Sequence, residues 1–583
     1  MKDLNQLLAR RMADVLARRF SLELPPKEQL SVLYLEKTRD AQFGDLACSA
    51  PLRLAKRVRQ SPMKIAGALA EDLAKSDLGA STFAKIEVAS PGFVNFTYTD
   101  DYVLSTAARC YADARLGVAP ADPSITAVLD YSCPNVAKPM HVGHIRSTIL
   151  GDALVRIFRF LGHTAIGDNH LGDWGTQFGM IILGLKRVGR DRGLEGVTVP
   201  EIAEIYRSIN ALSERDEATA EAARQEVVKL HSGDPENRRI WERVMAISLD
   251  ALDRVYERLG VRFDHTLGES FYEAMLPGVV EDLREKGLAR ESEDAIAVFF
   301  ENDKYPPFLV QKRDGAFLYA TTDLATIRYR LEQWAPALIV YVTDARQQLH
   351  FKQLFETARM MGYVDVQLEH VWFGSILGPD GKPYKTRSGE VVRLEDLLDE
   401  AQERARAVVD EKSPHLPEED RRRIARVVGI GALKYADLSQ NRTSDYIFSW
   451  EKFLALSGNT APYMQYAYAR VQSIFRRGEV EVGELRTDRT TYVAEHPAEL
   501  NLVRTLIEFE QVLQTVAREY RPNFLTAYLY ELSGKFTGFY DNCPVLKAPT
   551  DTLRRSRLAL CDHVGRVIKQ GLNLLGIETI EQM

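Results

Sequence analysis

The stretch that decides the fold runs over residues 125–162 and reads ITAVLDYSCPNVAKPMHVGHIRSTILGDALVRIFRFLG. Residues 125–132 form a short apolar run rich in β-branched side chains, which predicts a buried strand. After the next loop, apolar residues recur at helical spacing at positions 145, 149, 150, 154, 157 and 158. A second strand-like run, HTAIGDNHL (residues 163–171), comes next. The order strand, loop, helix, strand predicts the start of a doubly wound α/β sheet.

The same sheet is predicted to continue farther along the chain. From residue 186 the sequence becomes charged and helical in pattern, and strand-like runs return at 296–300, 337–343 and 366–377. We therefore predict a Rossmann-like, doubly wound parallel sheet in a domain over residues 117–395, interrupted by a helical insertion at about 186–295.

Two further domains are predicted on either side of this sheet. Residues 1–116 contain two helical patterns followed by FAKIEVASPGFVNFTYT (residues 83–99), whose alternation predicts strands in a small α+β domain. Residues 117–124 are proline-rich and polar, as a linker would be. Residues 396–583 keep a helical pattern to the end, which predicts an all-α C-terminal domain.

Composition and charge are those of an ordinary globular protein. Hydrophobic residues make up 45% and charged residues 27%, which argues against a disordered or fibrous chain. Lys and Arg number 75 and Asp and Glu 82, and the resulting net charge of −7 excludes a uniformly basic nucleic-acid coat. A local basic groove is compatible with that balance, because phosphate contacts need only local Lys and Arg.

Cysteine usage and hydropathy predict a cytoplasmic location. The five cysteines are scattered without a C-x-x-C pair, which favours reduced thiols over disulfides or structural zinc. No ligand cluster of fixed spacing predicts a metal site, and no run approaches the ~20 apolar residues of a membrane helix. The first twenty residues form an amphipathic pattern with frequent charges, unlike a signal peptide, and Asp3, Asp14 and Glu23 argue against a transit peptide.

The sequence His141-Val142-Gly143-His144 lies at the start of the predicted helix. A helix N-terminus favours polyphosphate, and two imidazoles three residues apart share one face and can donate hydrogen bonds to it. Gly143 between them would let a flat base approach the backbone. The alternative is a pair of surface histidines with a packing glycine, but the strand-loop-helix context favours nucleotide binding.

At this motif the chain resembles a known family. Residues 135–144, NVAKPMHVGH, and RST at 146–148 resemble the HIGH region of class I aminoacyl-tRNA synthetases, and more narrowly of the arginyl-tRNA synthetases. Further blocks resemble the same family in order along the chain, and the ordered set is far more specific than one motif. These are FGD (43–45), PGFVNF (91–96), GDWGTQFG (172–179), RDG (313–315) with Tyr319 and Asp323, GNTAPY (458–463) and QY (465–466). The match runs from about residue 40 to the final methionine and so covers nearly the whole chain.

The chemistry of arginine agrees with this resemblance. A guanidinium is permanently charged and planar, so a selective pocket needs carboxylates in its plane. The resemblance implies that Asp130, Tyr319 and Asp323 grip the guanidinium. It also implies that Asn135 and Gln347 hold the amino and carboxylate groups, and His141 is included in the arginine site. Without the resemblance, Asp130 as a helix or turn cap and Tyr319 as a core residue would be preferred.

The lysine motif of class I synthetases, usually written KMSKS, is degenerate here, where the stretch reads GKPYKTRS (residues 381–388). One register sets Lys382 and Lys385 on the family lysines, and the other sets Thr386 on the second lysine with Lys138 supplying the missing cation. An exposed turn is the alternative. The predicted catalytic residues are thus His141, His144, Lys138 and Lys385, and the predicted ATP site comprises His141, Gly143, His144, Lys382 and Lys385.

The C-terminal helices offer tyrosines beside arginines, a combination that can stack on unpaired bases. The resemblance implies that this domain binds the anticodon, and the predicted tRNA contacts are Tyr463, Tyr466, Arg470 and Met583. A tyrosine stripe that packs in the core is the alternative. The N-terminal domain resembles one that contacts the corner of the tRNA.

The leading hypothesis is an enzyme that activates L-arginine with ATP and transfers it to the terminal ribose of tRNA(Arg). The resemblance implies ATP with Mg²⁺ as substrate, tRNA(Arg) and arginine as partners, bound tRNA during activation, and a monomer. The alternatives are a class I synthetase for another amino acid, a small H-x-G-H nucleotidyltransferase, and a catalytically inactive paralogue that binds RNA. A small nucleotidyltransferase would not need 583 residues.

Overall fold

The first part of the chain forms a small domain of helices and one antiparallel sheet. The computed structural model describes residues 2–38, 40–189, 196–292, 295–313, 315–384, 392–487 and 491–582. The elements of this domain are α1 (Lys2–Phe20), α2 (Pro26–Val32), β1 (Glu36–Lys37), β2 (Leu46–Cys48), α3 (Ala50–Val58), α4 (Pro62–Ala74), α5 (Asp77–Thr82), β3 (Phe83–Ala89), β4 (Phe93–Tyr98) and α6 (Asp100–Ala112). The sheet order is β1-β2-β4-β3, and the predicted hairpin over 83–99 is present as β3 and β4.

The middle of the chain alternates strands and helices, as its sequence predicts. Its elements are β5 (Thr126–Asp130), α7 (Val142–Phe160), β6 (Thr164–Asn169), α8 (Thr176–Arg187), α9 (Val199–Ser213), α10 (Glu217–His231), α11 (Pro235–Leu259), β7 (His265–Thr266), α12 (Leu276–Glu285), β8 (Ala289–Ser292), β9 (Ala295–Val298), β10 (Phe308–Lys312), α13 (Tyr319–Trp334), β11 (Leu338–Tyr341), α14 (Gln348–Met360), β12 (Gln367–His370) and β13 (Ile376–Leu377).

A five-stranded parallel sheet, ordered β12-β11-β5-β6-β7, lies at the centre of this region. Strand β5 is buried on both faces, and its side chains alternate between them. Ala127 and Leu129 join the core cluster that contains helix α7, whereas Val128 joins the cluster formed with helices α12 to α14. The chain turns to opposite sides of β5, so the crevice beyond the carboxyl ends of β5 and β11 is the place where such sheets bind ligands.

The predicted strand at 296–300 does not belong to this central sheet. It forms β9 in a separate antiparallel sheet of order β10-β9-β8. The connection from β8 to β9 is too short for a parallel crossover, and a tight connection joins antiparallel neighbours instead. The apolar pattern predicted the strand correctly, but its assignment to the nucleotide-binding sheet was wrong.

The helices of the predicted insertion are α9, α10 and α11. Lys186 on α8 joins α10 to α11, because its Nζ donates to Glu226 Oε2 and to Asn237 Oδ1, both at 2.7 Å. The rest of the predicted segment at 186–295 contains strand β7 of the central sheet, helix α12 and strand β8. Helical character is therefore concentrated in residues 199–259.

The last part of the chain is almost entirely helical. Its elements are α15 (Leu394–Lys412), α16 (Glu418–Leu438), β14 (Tyr446–Ile447), α17 (Trp450–Phe453), α18 (Ala461–Gly478), α19 (Val482–Thr487), α20 (Pro497–Leu506), α21 (Phe509–Glu519), α22 (Asn523–Asn542) and α23 (Asp551–Leu574). Strand β14 pairs in parallel with β13, so the chain after the boundary proposed at residue 395 returns to the central region. None of the described helices is both long and apolar enough to cross a membrane.

Charged side chains join the three parts. Arg504 on α20 contacts Asp45 at 2.7 Å and Asp100 at 2.8 Å, which fixes the N-terminal domain on the helical domain. The buried ammonium of Lys434 on α16 donates to the carbonyls of Leu259 and Gly576, both at 2.7 Å. Since both carbonyls follow helix ends, Lys434 connects the insertion to the C-terminal helices.

Arg330 on α13 is a fully buried charge at the end of the central sheet. Its Nη2 lies 2.5 Å from Asp130 Oδ2 and 2.7 Å from Asp168 Oδ2. Asp130 and Asp168 are paired in register on β5 and β6, so one guanidinium neutralises the carboxyl ends of two neighbouring strands. Removing one partner of such a buried group leaves uncompensated charge, which is strongly destabilising.

We expect Arg330→Ala to lower the free energy of unfolding by about 3–5 kcal/mol, because two buried carboxylates lose their cation. Urea denaturation followed by circular dichroism measures this loss. Arg224→Ala is the matched control, since the Arg224 side chain contacts Glu217 and Glu221 on an exposed face of α10. A midpoint shift no larger for Arg330→Ala than for the control would contradict the prediction.

Candidate active site

The loop between β5 and α7 is held in a strained backbone conformation. Ser132, Cys133 and Ala137 all have positive φ angles, of 74°, 48° and 65°. Hydrogen bonds fix this path, since the Val136 amide donates to the Gly172 carbonyl at 3.0 Å and the Ala137 amide donates to Ser248 Oγ at 3.2 Å. Strain of this kind persists only where surrounding structure enforces it, and it clusters at functional sites.

The two histidines of the H-V-G-H motif are oriented by backbone amides. His141 is the N-cap of α7, and its Nδ1 accepts the Gly143 N–H at 3.1 Å. His144 Nδ1 accepts the His141 N–H at 3.0 Å, and the two rings lie 4.0 Å apart between centroids. Since Nδ1 is the acceptor in both neutral rings, the proton lies on Nε2. Both rings can therefore donate outward from Nε2.

Both histidines are uncharged at neutral pH. Burial, together with the neighbouring His141, lowers the pKa of His144 to about 3. Burial and the nearby guanidinium of Arg346 also lower the pKa of His141. The positive character of this site comes instead from the partial positive charge of the helix N-terminus, which favours an anion. The Nε2–H groups of the two histidines can add directional hydrogen bonds to such an anion.

Gly143 leaves the space between these rings open. A Cβ atom at this position would lie 2.9 Å from Cε1 of His141 and 3.0 Å from its Nδ1, so any side chain would displace the ring. Gly143 is exposed, and the backbone here is therefore accessible to a flat group such as a nucleotide base.

The predicted lysine segment is anchored at two different places. After it, the Leu394 amide donates to Met140 O at 2.9 Å and the Val142 amide donates to Val392 O at 3.0 Å, beside the H-V-G-H motif. Within it, the Tyr384 amide donates to Ile376 O on β13 at 3.1 Å. Lys382 lies on an exposed turn. Residues 385–391, with Lys385 and Thr386, lie outside the described residues.

Lys138 lies just before the histidines and points toward the helical insertion. Its Nζ is 4.8 Å from the centre of the Tyr206 ring on α9. The side chain of Lys138 is half-buried. A cation over an aromatic face is attracted by the ring quadrupole without being neutralised.

Tyr319 and Asp323 face one space, as their spacing predicts. Helix α13 begins at Tyr319, so the two side chains lie one turn apart on the same face. Tyr319 is 71% exposed, which excludes the alternative that it is a core residue. Asp323 Oδ2 accepts a hydrogen bond from His350 Nε2 at 2.6 Å. This bond leaves the other carboxylate oxygen available to a ligand.

Glu269 is a further acidic residue of this space, and no motif in the sequence pointed to it. Burial and the neighbouring carboxylates of Asp173 and Asp323 raise its pKa to about 8. Burial, Glu269 and Tyr206 likewise raise the pKa of Tyr319. Glu269 follows the two-residue strand β7 at the carboxyl end of the sheet. Its position after a strand was the only available signal, and β7 is too short to be recognised in the sequence.

Asp130 lies at the end of β5, as expected, but its oxygens face partners inside the chain. Oδ2 accepts from Arg330, and Oδ1 accepts from the Cys133 thiol at 2.8 Å. This geometry favours a structural role, because a guanidinium of the chain itself already occupies the place beside the carboxylate. The assignment of Asp130 to a bound arginine stays a prediction.

Asn135 and Gln347 follow the carboxyl ends of the neighbouring strands β5 and β11, and both are exposed. Asn135 lies against Gly172, where a Cβ atom would come within 2.2 Å of its Oδ1. Gln347 ends a short 3₁₀ helix, Ala345–Gln347, whose N-cap is Asp344. Their positions at the switch point of the sheet suit contacts to a small ligand in the crevice.

The predicted tRNA contacts lie on one helix of the C-terminal domain. Tyr466 on α18 is 46% exposed, and the half-buried Tyr463 packs edge-on against Tyr530 at 5.9 Å. Arg470 lies over the Tyr540 ring at 4.3 Å. Tyr530 is 41% exposed and enlarges this aromatic surface, although the sequence had not singled it out. Met583 lies outside the described residues.

The arrangement brings a helix N-terminus with two oriented histidines and a group of acidic residues to the same edge of the sheet. Within residues 2–38, 40–189, 196–292, 295–313, 315–384, 392–487 and 491–582, no group of three His, Cys, Asp or Glu side chains is placed to hold a metal ion. The chemistry on offer is positioning and electrostatic stabilisation by hydrogen-bond donors and ammonium groups.

Comparison with known proteins agrees with this geometry. Three family models match the chain: the arginyl tRNA synthetase N terminal domain over residues 3–98, the catalytic domain of tRNA synthetases class I (R) over 112–450, and the DALR anticodon binding domain over 464–583. The arginine–tRNA ligase of Proteus mirabilis is 45% identical over 558 residues, covering 94% of this chain and 95% of the relative.

Solved structures show the same fold. Plasmodium falciparum arginyl-tRNA synthetase superposes with a TM-score of 0.84 at 26% identity and covers 99% of both chains. Thermus thermophilus arginyl-tRNA synthetase gives a TM-score of 0.81 at 23% identity over 99% of this chain and 100% of that one. With the predicted fold class confirmed in this way, the chain belongs to the arginyl-tRNA synthetase family, the arginine–tRNA ligases of class I.

Proposed function

We propose that this chain activates L-arginine with ATP and transfers it to the 3′-terminal ribose of tRNA(Arg), acting as a cytoplasmic monomer with Mg²⁺ carried in by ATP. The observation that supports it most directly is the pocket of Tyr319, Asp323 and Glu269. A carboxyl group with a pKa of about 8 beside a second carboxylate is stabilised in its ionised form by an incoming cation. The pocket adjoins a helix N-terminus suited to a triphosphate.

In this proposal, the acidic pocket selects the side chain of arginine. Asp323 and Glu269 accept from the guanidinium, which presents its N–H groups in a planar fork. Tyr319 covers one side of it. Lysine or ornithine would leave one carboxylate unpaired, and an unpaired buried charge supplies the discrimination. Asn135 and Gln347 orient the amino and carboxylate groups toward the nucleotide.

The activation step then needs only positioning and charge stabilisation. A carboxylate oxygen of arginine bonds to the α-phosphorus, and the bond to pyrophosphate breaks as pyrophosphate leaves with its electron pair. Nε2–H groups of His141 and His144 donate to phosphate oxygens that gain charge. One such donor is worth about 2.7–4 kcal/mol in comparable sites. Lys138, with Lys382 and Lys385, supplies cations to the same oxygens.

The transfer step brings in the tRNA. A hydroxyl of the terminal ribose attacks the carbonyl carbon of the arginyl-adenylate, and AMP leaves with the electron pair of the broken bond. In this proposal, the surface of Tyr463, Tyr466 and Arg470 stacks on unpaired bases of the anticodon, and Met583 belongs to a terminal segment that contacts the same part of the tRNA.

The test of this function is ATP–pyrophosphate exchange with each of the twenty amino acids, with and without tRNA(Arg). We expect exchange with arginine in the presence of tRNA(Arg), and charging of tRNA(Arg) with labelled arginine. If ATP–pyrophosphate exchange depended on another amino acid, that amino acid and not arginine would be the substrate. RNA binding without exchange under any of these conditions would favour an inactive RNA-binding protein instead.

Replacing Asp323 tests the acidic pocket. We expect Asp323→Asn to lower kcat/KM for arginine at least about 100-fold, because the guanidinium loses a charged partner worth about 3–5 kcal/mol. Asparagine keeps an oxygen that accepts from His350, so the change is confined to charge. Exchange kinetics at varied arginine and varied ATP measure the effect, and the KM for ATP should stay within about two-fold.

Asp365→Ala on an exposed turn is the control for this replacement, and should leave the kinetics unchanged. If Asp323→Asn kept the wild-type arginine KM and turnover, Asp323 would have no place in the pocket.

Glu269 should make arginine binding depend on pH. In the empty pocket its pKa of about 8 keeps the carboxyl group mostly protonated at pH 7, whereas a bound guanidinium favours the carboxylate. Arginine binding should therefore release a proton below pH 8, and affinity should rise with pH until it levels off above pH 8. Calorimetric titrations in two buffers with different ionisation enthalpies count the released protons.

Glu269→Gln should bind arginine more weakly and release no proton, since the titrating group is gone. A wild-type enzyme whose arginine affinity is constant from about 1.5 pH units below the Glu269 pKa of about 8 to about one unit above it would contradict this assignment.

A further inference from the structure

The backbone at Lys138 is fixed on both sides. The Ala137 amide donates to Ser248 Oγ at 3.2 Å, and the Met140 carbonyl accepts from the Leu394 amide at 2.9 Å. Between these points the chain has little freedom to move. The position of the Lys138 ammonium therefore depends on what holds its side chain.

The partner of this ammonium is an aromatic ring. Lys138 Nζ lies 4.8 Å from the centre of the Tyr206 ring, and both side chains are half-buried. Among the residues that the structure describes, Lys138 forms no ion pair with a carboxylate. A carboxylate would neutralise the ammonium, whereas a ring holds it in place and leaves its charge available to a phosphate.

Tyr206 lies between the two halves of the site. Its phenol is close enough to Tyr319 to contribute, after burial and Glu269, to the raised pKa of that phenol. Its ring also contacts the ammonium of Lys138, which comes just before the first histidine in the sequence. Helix α9, which carries Tyr206, rests closely on α8, because a Cβ atom at Gly184 would come within 2.3 Å of Ile205 Cγ2. The Tyr206 ring is therefore carried by two closely packed helices, α8 and α9.

We infer that Tyr206 of the helical insertion is a positioning residue for the activation step, which holds the ammonium of Lys138 between the arginine pocket and the nucleotide site. The inference rests on the proposed function, in which Lys138 stabilises the charge that develops on the α-phosphate. Tyr206 belongs to the helical insertion, so the position of the insertion sets the position of the Lys138 ammonium. This ammonium adds to the positive charge that the degenerate lysine segment, residues 381–388, supplies.

The test compares Tyr206→Leu with Tyr206→Phe in tRNA-dependent ATP–pyrophosphate exchange. We expect Tyr206→Leu to lower kcat about ten-fold while the KM values for arginine and ATP stay within about two-fold, because the ring acts on the transition state. Tyr206→Phe keeps the ring and should retain the wild-type kcat. Ser208→Ala, on the exposed side of the same helix, is the control. Thermal melting establishes that each variant is folded.

A double-mutant cycle separates positioning from a general structural effect. In a Lys138→Ala enzyme, Tyr206→Leu should cause no further loss beyond about two-fold, since the group that the ring positions is absent. The inference would be overturned if Tyr206→Leu and Tyr206→Phe lowered kcat equally, or if Tyr206→Leu lowered kcat about ten-fold in the Lys138→Ala enzyme as well.

The inference alone fails if the wild-type protein exchanges with arginine and the Tyr206→Leu variant has the same kcat. The proposed function fails if the wild-type protein shows no arginine-dependent exchange.

Discussion

The compensation of Asp130 and Asp168 by the buried guanidinium of Arg330 is the constraint on which the site depends. These carboxylates end two adjacent strands, and the loop that carries the histidines starts directly after one of them. A carboxylate without its cation at this depth would carry a large desolvation penalty. Arg330 therefore allows strand β5 to end where the loop can turn into the crevice.

Carboxylates at two neighbouring places in the molecule differ in whether a cationic side chain of the chain neutralises them. At the strand ends, its own Arg330 saturates the carboxylates and takes no part in exchange with solvent. In the pocket of Asp323 and Glu269, no arginine or lysine of the described residues forms an ion pair with either carboxylate, and the pKa of Glu269 is raised accordingly. An acidic pocket of this kind is stabilised by a free ligand with the same chemistry as the internal side chain.

Sequence alone predicted the features that are encoded locally. The strand, loop and helix over 125–162, the orientation of His141 and His144 at a helix start, and the shared face of Tyr319 and Asp323 all follow from spacing within a few residues. The family and the fold class were confirmed for the same reason, since ordered motifs carry them. Whether Asp130, Asn135, Gln347 and the lysines contact substrates stays a prediction.

What sequence did not predict depends on contacts between distant segments. Glu269 follows a strand of only two residues, and its raised pKa arises from burial and from the carboxylates of Asp173 and Asp323. Tyr206 reaches Lys138 from a separate helix, and Arg330 reaches Asp130 from 200 residues away. The apolar pattern predicted strand β9 but not the strands with which it pairs, because the same pattern would fit the central sheet and the sheet of β8 to β10 equally well.

The neutral state of His141 and His144 has a consequence for product release in the proposed reaction. An uncharged donor attracts an anion only over hydrogen-bond distance, whereas a fixed positive charge acts over roughly 8–10 Å at ordinary ionic strength. In the proposed mechanism, these rings therefore attract pyrophosphate only weakly once it has moved out of line with Nε2 of His141 and His144. The two rings would select a triphosphate by the direction of their hydrogen bonds without adding a long-range force that retains its products.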